Sequence, residues 1–77
     1  MAKRQVTFSF PEELLEEPII YTIGQQFRVM TNIRQAEISE SKGWVQLELE
    51  GEEGDIDDAI AWATSKGVRV DTLETPL

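Results

Sequence analysis

Residues 29–51 read VMTNIRQAEISESKGWVQLELEG. Two stretches with the pattern of extended chain flank a short turn, ESKG (40–43). The second stretch, WVQLELEG (44–51), alternates cleanly, with Val45, Leu47 and Leu49 on one face and Gln46, Glu48 and Glu50 on the other. The first, residues 29–39, has a defect. Val29, Thr31 and Ile33 share one parity, whereas Ala36 and Ile38 share the other. One change of parity inside one strand is what a β-bulge produces, and the pattern puts it near Arg34 and Gln35. A connection this short makes the two strands an antiparallel hairpin. Asparagine is depleted in strands because its side chain competes for backbone hydrogen bonds. Asn32, however, falls on the outward parity with Met30 and Arg34, so it does not intrude on the core.

The flanks of the hairpin repeat each other. Upstream, QVTFSF (5–10) alternates strictly, with Val6, Phe8 and Phe10 on one face. Pro11 and the acidic run EELLEE (12–17) end that strand and lead to Pro18, a residue favoured at a first helical position. Ile19, Ile20, Ile23 and Phe27 then recur at helical spacing, giving a helix over about 18–28. Gly24 inside it reads as a close-packing point, since glycine there costs roughly 1 kcal/mol relative to alanine. Downstream, residues 51–54 read as a loop and Asp55 as a helix N-cap, with Asp58 three residues on. Ile56, Ala59, Ile60 and Ala63 form the apolar stripe, and Gly67 is the left-handed C-cap. VRVDTL (68–73) is a last strand, and residues 74–77 a loose tail.

The order is therefore strand, helix, hairpin, helix, strand. Right-handed crossovers place both helices on one face of a four-stranded antiparallel sheet, the ferredoxin-like βαββαβ sandwich of the α+β class. Seventy-seven residues are one domain, spanning 1–77 with a core over about 5–73.

Composition narrows the chemistry. The chain has no cysteine and no histidine. Disulfide scaffolds, iron–sulfur clusters and thiolate zinc sites are excluded, and the commonest general base is missing. The serines have no histidine to activate them, and no glycine-rich phosphate loop occurs. The acidic run EGEEGDIDD (50–58) lacks the ligand spacing of a calcium loop and reads as helix-dipole complementation. No catalytic residue, metal or cofactor is expected. Fifteen acidic against seven basic residues, a net charge of −8, repel phosphate backbones. KGWVQLEL (42–49) has an outline of an RNA-recognition strand, but Gln46 and Glu48 follow Trp44 on the same face, and a glutamate there repels a nucleotide. Nucleic acid is not an expected partner. No apolar run reaches the roughly 18–20 residues of a membrane span, and MAKRQVTF is no signal peptide, so the expectation is a soluble cytoplasmic protein without membrane insertion. Trp62 reads as capping the edge of the core, and Trp44, on the open sheet face, as a possible protein-contact residue.

With these landmarks the chain resembles the NIL domain, an ACT-like module named for an Asn-Ile-Leu motif. The matching stretches are VTFSF, EEPII at the start of the first helix, QQFRV leading into TNI, then AEI, KGWVQLELEG and DIDDAIAWATSKGVRV. They cover roughly residues 5–73. The family occurs at the C-terminus of the ATP-binding subunits of bacterial methionine importers and in small free-standing or ferredoxin-associated proteins. At the importers its members are regulatory: they bind methionine at the interface of two domains and hold the transporter inactive. The resemblance implies a homodimer and a small amino-acid-like ligand beside Asn32, with Met30, Ile33 and Arg34 around it. The third motif position, Leu in the family, is Arg34 here, and its guanidinium suits a ligand carboxylate. The other function this resemblance and the exposed edge allow is an adaptor, recruiting a protein partner through the second strand or Trp44, as an accessory to a transporter or a ferredoxin.

Overall fold

The computed structural model describes residues 1–73. Strands β1 (Ala2–Pro11), β2 (Val29–Ile38), β3 (Lys42–Gly51) and β4 (Arg69–Leu73) alternate with helices α1 (Ile19–Gln26) and α2 (Glu53–Lys66) in the order β1-α1-β2-β3-α2-β4. The sheet order is β2-β3-β1-β4, and every pairing is antiparallel. This is the ferredoxin-like sandwich that the hairpin and its flanks dictate. β2 and β4 are the two edges. The tail at residues 74–77 lies outside the described residues.

The alternating residues do what their parity requires. Val6, Phe8, Phe10, Val45, Leu47 and Leu49 are buried beneath the helices, against Ile19 and Ile23 of α1 and Ile56, Ala59 and Ala63 of α2. Phe8 and Phe10 meet edge to face with ring centroids 6.1 Å apart. Trp62 caps the core's flank as expected, with its indole 6.0 Å from the Phe27 ring and the Lys66 ammonium 5.7 Å from the indole centroid. Gly67 adopts φ 107°. Its N–H donates to the Thr64 carbonyl and the Val68 N–H to the Ala63 carbonyl, the two bonds of a Schellman cap.

Several boundaries move. β1 begins at Ala2, because β3 is long enough to pair with it from Gly51 back to Lys42. Glu12–Leu14 form one 3-10 turn, with Leu14 and Leu15 half-buried. α1 stops at Gln26, where Phe27 turns to extended backbone, so it is shorter than the apolar spacing suggests. Asp55 is not the N-cap of α2. The helix starts at Glu53 after an extended Glu52, and no side chain caps it. Glu53 and Asp55 instead lie in the first turn, where charge alone favours a carboxylate beside the unpaired N–H groups. Asp57, one turn on, bonds Arg4 of β1 at 2.6 Å.

Gly24 is not a packing point either. It is exposed, and a methyl group there meets nothing within 4 Å. Gly24→Ala is therefore expected to stabilise the fold by about 1 kcal/mol, the helix-interior difference between the two residues, raising the urea midpoint without changing the slope. An unchanged or lower midpoint would show that Gly24 has a role the packing does not reveal.

Candidate functional site

β2 carries the residues that the sequence singles out, and its register with β3 places them. Met30 lies opposite Glu50, Asn32 opposite Glu48 and Ile33 opposite Leu47; the register then shifts between Ile33 and Gln35, leaving Arg34 as the extra residue of a bulge. The bulge sits where the change of parity puts it. Met30 and Asn32 therefore face the open side of the sheet, because their partners Glu50 and Glu48 do. Arg34 joins them there, its guanidinium donating to a Glu48 carboxylate oxygen at 3.3 Å.

Three of the four candidate residues thus share one surface, and the fourth does not. Arg34 bonds Glu48, Asn32 lies opposite Glu48 in the register, and Met30 lies one row beyond. Ile33 is on the opposite, helix-side face with its partner Leu47. Leu47 is buried, yet Ile33 is 59% exposed. Its parity is that of the core, but no helix covers it. Beyond the bulge, Ala36 and Ile38 share this face and are exposed as well. The cause is α1, whose eight residues cover Val29 but not the rest of β2.

Glu48 is the residue that sequence reasoning missed. Alternation marks it as outward, and outward usually means wet. In the folded chain it is 9% exposed, although it is on the open face. It occupies β3, a central strand, between Gln5 of β1 and Asn32 of β2. The only signal was indirect: once the hairpin register is set, Glu48 must face Asn32. A carboxylate this shielded needs a partner, since burying an unpaired charge is costly. Arg34 is the partner the structure gives it.

Two concave regions border β2 at its far end. A groove of about 440 Å³ is lined by Ser9, Glu37, Ser39, Lys42 and Trp44 among others, and an apolar one of about 190 Å³ by Leu15, Pro18, Tyr21 and Ile38 among others. Trp44 is half-buried between Ser9 and Glu37. No group of three or more Asp or Glu side chains is placed to hold a metal ion among the described residues, and no helix there is long and apolar enough to cross a membrane.

Comparison with known proteins gives this arrangement a family. The family model of the NIL domain matches residues 4–72. The chain belongs to the NIL-domain family. Among solved structures, this NIL domain is similar to the C-terminal domain of an ABC transporter ATP-binding protein from Enterococcus faecalis, with 27% identity and a TM-score of 0.83 over 95% of this chain and 86% of that one. Two designed proteins, Foldit4 and Ferredog-Diesel, share the fold at a TM-score of 0.58 each, with 10% and 14% identity; they cover 97% and 95% of this chain, and the matches span 96% and 85% of theirs. No curated protein sequence matches the chain.

Proposed function

We propose that this NIL domain is a non-catalytic regulatory module that binds a small zwitterionic ligand of the amino-acid class on the open face of its sheet. One observation carries the reading: Arg34, on the edge strand β2, stands 3.3 Å from Glu48 of the neighbouring central strand, with Asn32 opposite Glu48. A guanidinium, a carboxylate and an amide in one row complement an α-amino acid. Arg34 takes the ligand carboxylate as a planar two-pronged donor, and Glu48 takes the ammonium. Asn32 can supply the two donors of its amide nitrogen and the acceptor of its amide oxygen. The Arg34–Glu48 contact is a single bond, so most of the guanidinium's donors remain for a ligand.

The same arrangement supports regulation rather than chemistry. With no histidine and no cysteine, the chain has neither the usual general base nor a thiol nucleophile. Its likeness to the C-terminal domain of a transporter's ATP-binding protein supports a module that reports ligand to a larger machine. Ligand bound on an edge strand changes what that edge can pair with, and an equilibrium shifts only by such differential binding.

Isothermal titration calorimetry of the chain against the twenty amino acids tests this. Heat is expected for at least one of them, lost when its carboxylate is replaced by an amide and reduced at least tenfold in affinity by Arg34→Leu. No heat for any amino acid would overturn the reading.

A further inference from the structure

We propose that the groove at the hairpin end of the open sheet face binds a neutral pyranose sugar, its ring stacked on the Trp44 indole and its hydroxyls on Ser9, Glu37, Ser39 and Lys42. The register builds this groove. Trp44 of β3 lies between Ser9 of β1 and Glu37 of β2, and all three face the open side. Trp44 is half-buried. Ser9 beside it carries one of the smallest side chains, so the row has a notch next to the indole. Lys42 shares the parity of Trp44. The turn is folded back there by Ser39, whose N–H and hydroxyl both donate to the Lys42 carbonyl oxygen, at 2.8 and 3.0 Å. The resulting concavity of about 440 Å³ is within the range of small-molecule sites.

The polar groups of the groove are free to bind. Among the described residues, the side chains of Ser9, Glu37 and Lys42 make no hydrogen bond or ion pair. The Ser39 hydroxyl is held as a donor to the Lys42 carbonyl, which leaves its lone pairs as acceptors. Lys42 supplies donors, Glu37 accepts, and Ser9 does either. Each sugar hydroxyl is both donor and acceptor, so a run of adjacent hydroxyls needs such a mixture. The charges of Glu37 and Lys42 are opposite, and a neutral ligand meets no uncompensated charge between them. A phosphorylated ligand is disfavoured by the net charge of −8. The indole supplies the rest. Its face is electronegative, and the axial C–H bonds of a pyranose present a weakly positive, apolar face to it.

This site is separate from the one proposed around Asn32 and Arg34. Trp44 and Glu48 lie about 13 Å apart along β3, with the Gln46–Gln35 row between them. An amino acid suits the groove less well, because the Lys42 ammonium is a point charge without the planar fork that grips a carboxylate. A protein partner is disfavoured as well. A protein hot spot works inside a rim that excludes water, whereas the row next to Trp44, formed by Thr7, Gln46 and Gln35, is polar.

The chain has two tryptophans, so proton–nitrogen correlation spectra read the site directly. Trp62→Phe assigns the two indole N–H signals. The unmodified chain is then titrated through the millimolar range with the methyl glycosides of glucose, galactose, mannose and N-acetylglucosamine. At least one is expected to shift the Trp44 indole signal saturably and leave that of Trp62 in place. The dissociation constant is expected to be on the order of millimolar, as for other small polar ligands. Followed on the backbone amides of Ser39 and Lys42, Trp44→Ala is expected to weaken binding at least tenfold. Glu37→Ala, at an exposed position outside the packed core, is expected to weaken it about fivefold. Circular dichroism checks that each variant is folded. Arg34→Leu is expected to leave the sugar affinity unchanged within about twofold, so this proposal and the amino-acid reading can fail separately. The proposal is overturned by any of four results: no saturable shift with any of the sugars, an unchanged affinity in Trp44→Ala or Glu37→Ala, a Trp44 shift produced by free amino acids alone, or loss of sugar binding in Arg34→Leu.

Discussion

Gly51→Ala is expected to destabilise the domain by about 2–3 kcal/mol, in the range of overpacking in a closed interior. Gly51 ends β3 and is buried, paired with Ala2 on one side and Val29 on the other. A Cβ there would stand 2.6 Å from the Arg28 carbonyl oxygen. That oxygen belongs to backbone, not to a side chain that can swing away. The connector is short as well: Phe27 still bonds back to Ile23 of α1, and Val29 already opens β2. Relief requires moving the start of β2, which carries Val29 into the core, or the end of β3. For a small domain, whose stability is several kcal/mol, this loss is a large fraction. Equilibrium urea unfolding, compared with Gly24→Ala, checks it. The same methyl group is expected to lower the midpoint at Gly51 and raise it at Gly24, and a midpoint at Gly51 within error of the unmodified chain would show that the connector gives way freely.

The second expected loss is at the site. Arg34→Leu is expected to cost about 1–2 kcal/mol, because it leaves the Glu48 carboxylate shielded and without its cation. The full cost of breaking a buried pair does not apply. The Arg34 side chain is 59% exposed and its contact is one bond of 3.3 Å, so water screens part of the interaction. In a Glu48→Gln background the charge needing compensation is gone, and the cost of Arg34→Leu is expected to fall to a few tenths of a kcal/mol. Urea midpoints of the four chains at one fixed protein concentration measure the coupling. Equal costs in both backgrounds would mean that Arg34 does not hold Glu48, and the zwitterion site would lose its geometry.

How far the sequence reached is clearest at β2. Parity alone located the bulge near Arg34 and Gln35 and sorted Asn32 from Ile33, because side-chain alternation is a property of the local backbone. It could not say that Ile33, Ala36 and Ile38 lie bare on the face that parity assigns to the core. That depends on how far α1 reaches over the edge, and the apolar spacing over 18–28 suggested a longer helix than Ile19–Gln26. Glu48 failed for the same kind of reason: alternation gives a face, while shielding depends on Asn32, Gln5 and Arg34 arriving from elsewhere in the chain. Gly24, not Gly51, was read as the packing point, since whether a Cβ has room is decided by the Arg28 carbonyl and not by the residues beside Gly51 in sequence.

The sequence by itself determined the order of elements, the hairpin, the bulge, the left-handed cap at Gly67 and the absence of thiol and imidazole chemistry. All of these follow from the backbone preferences of neighbouring residues or from composition. Only the tertiary structure decided which inward residues were covered, which outward glutamate was shielded and which glycine had no room for a methyl group. Each depends on contacts between segments far apart in the chain, and no local pattern records them.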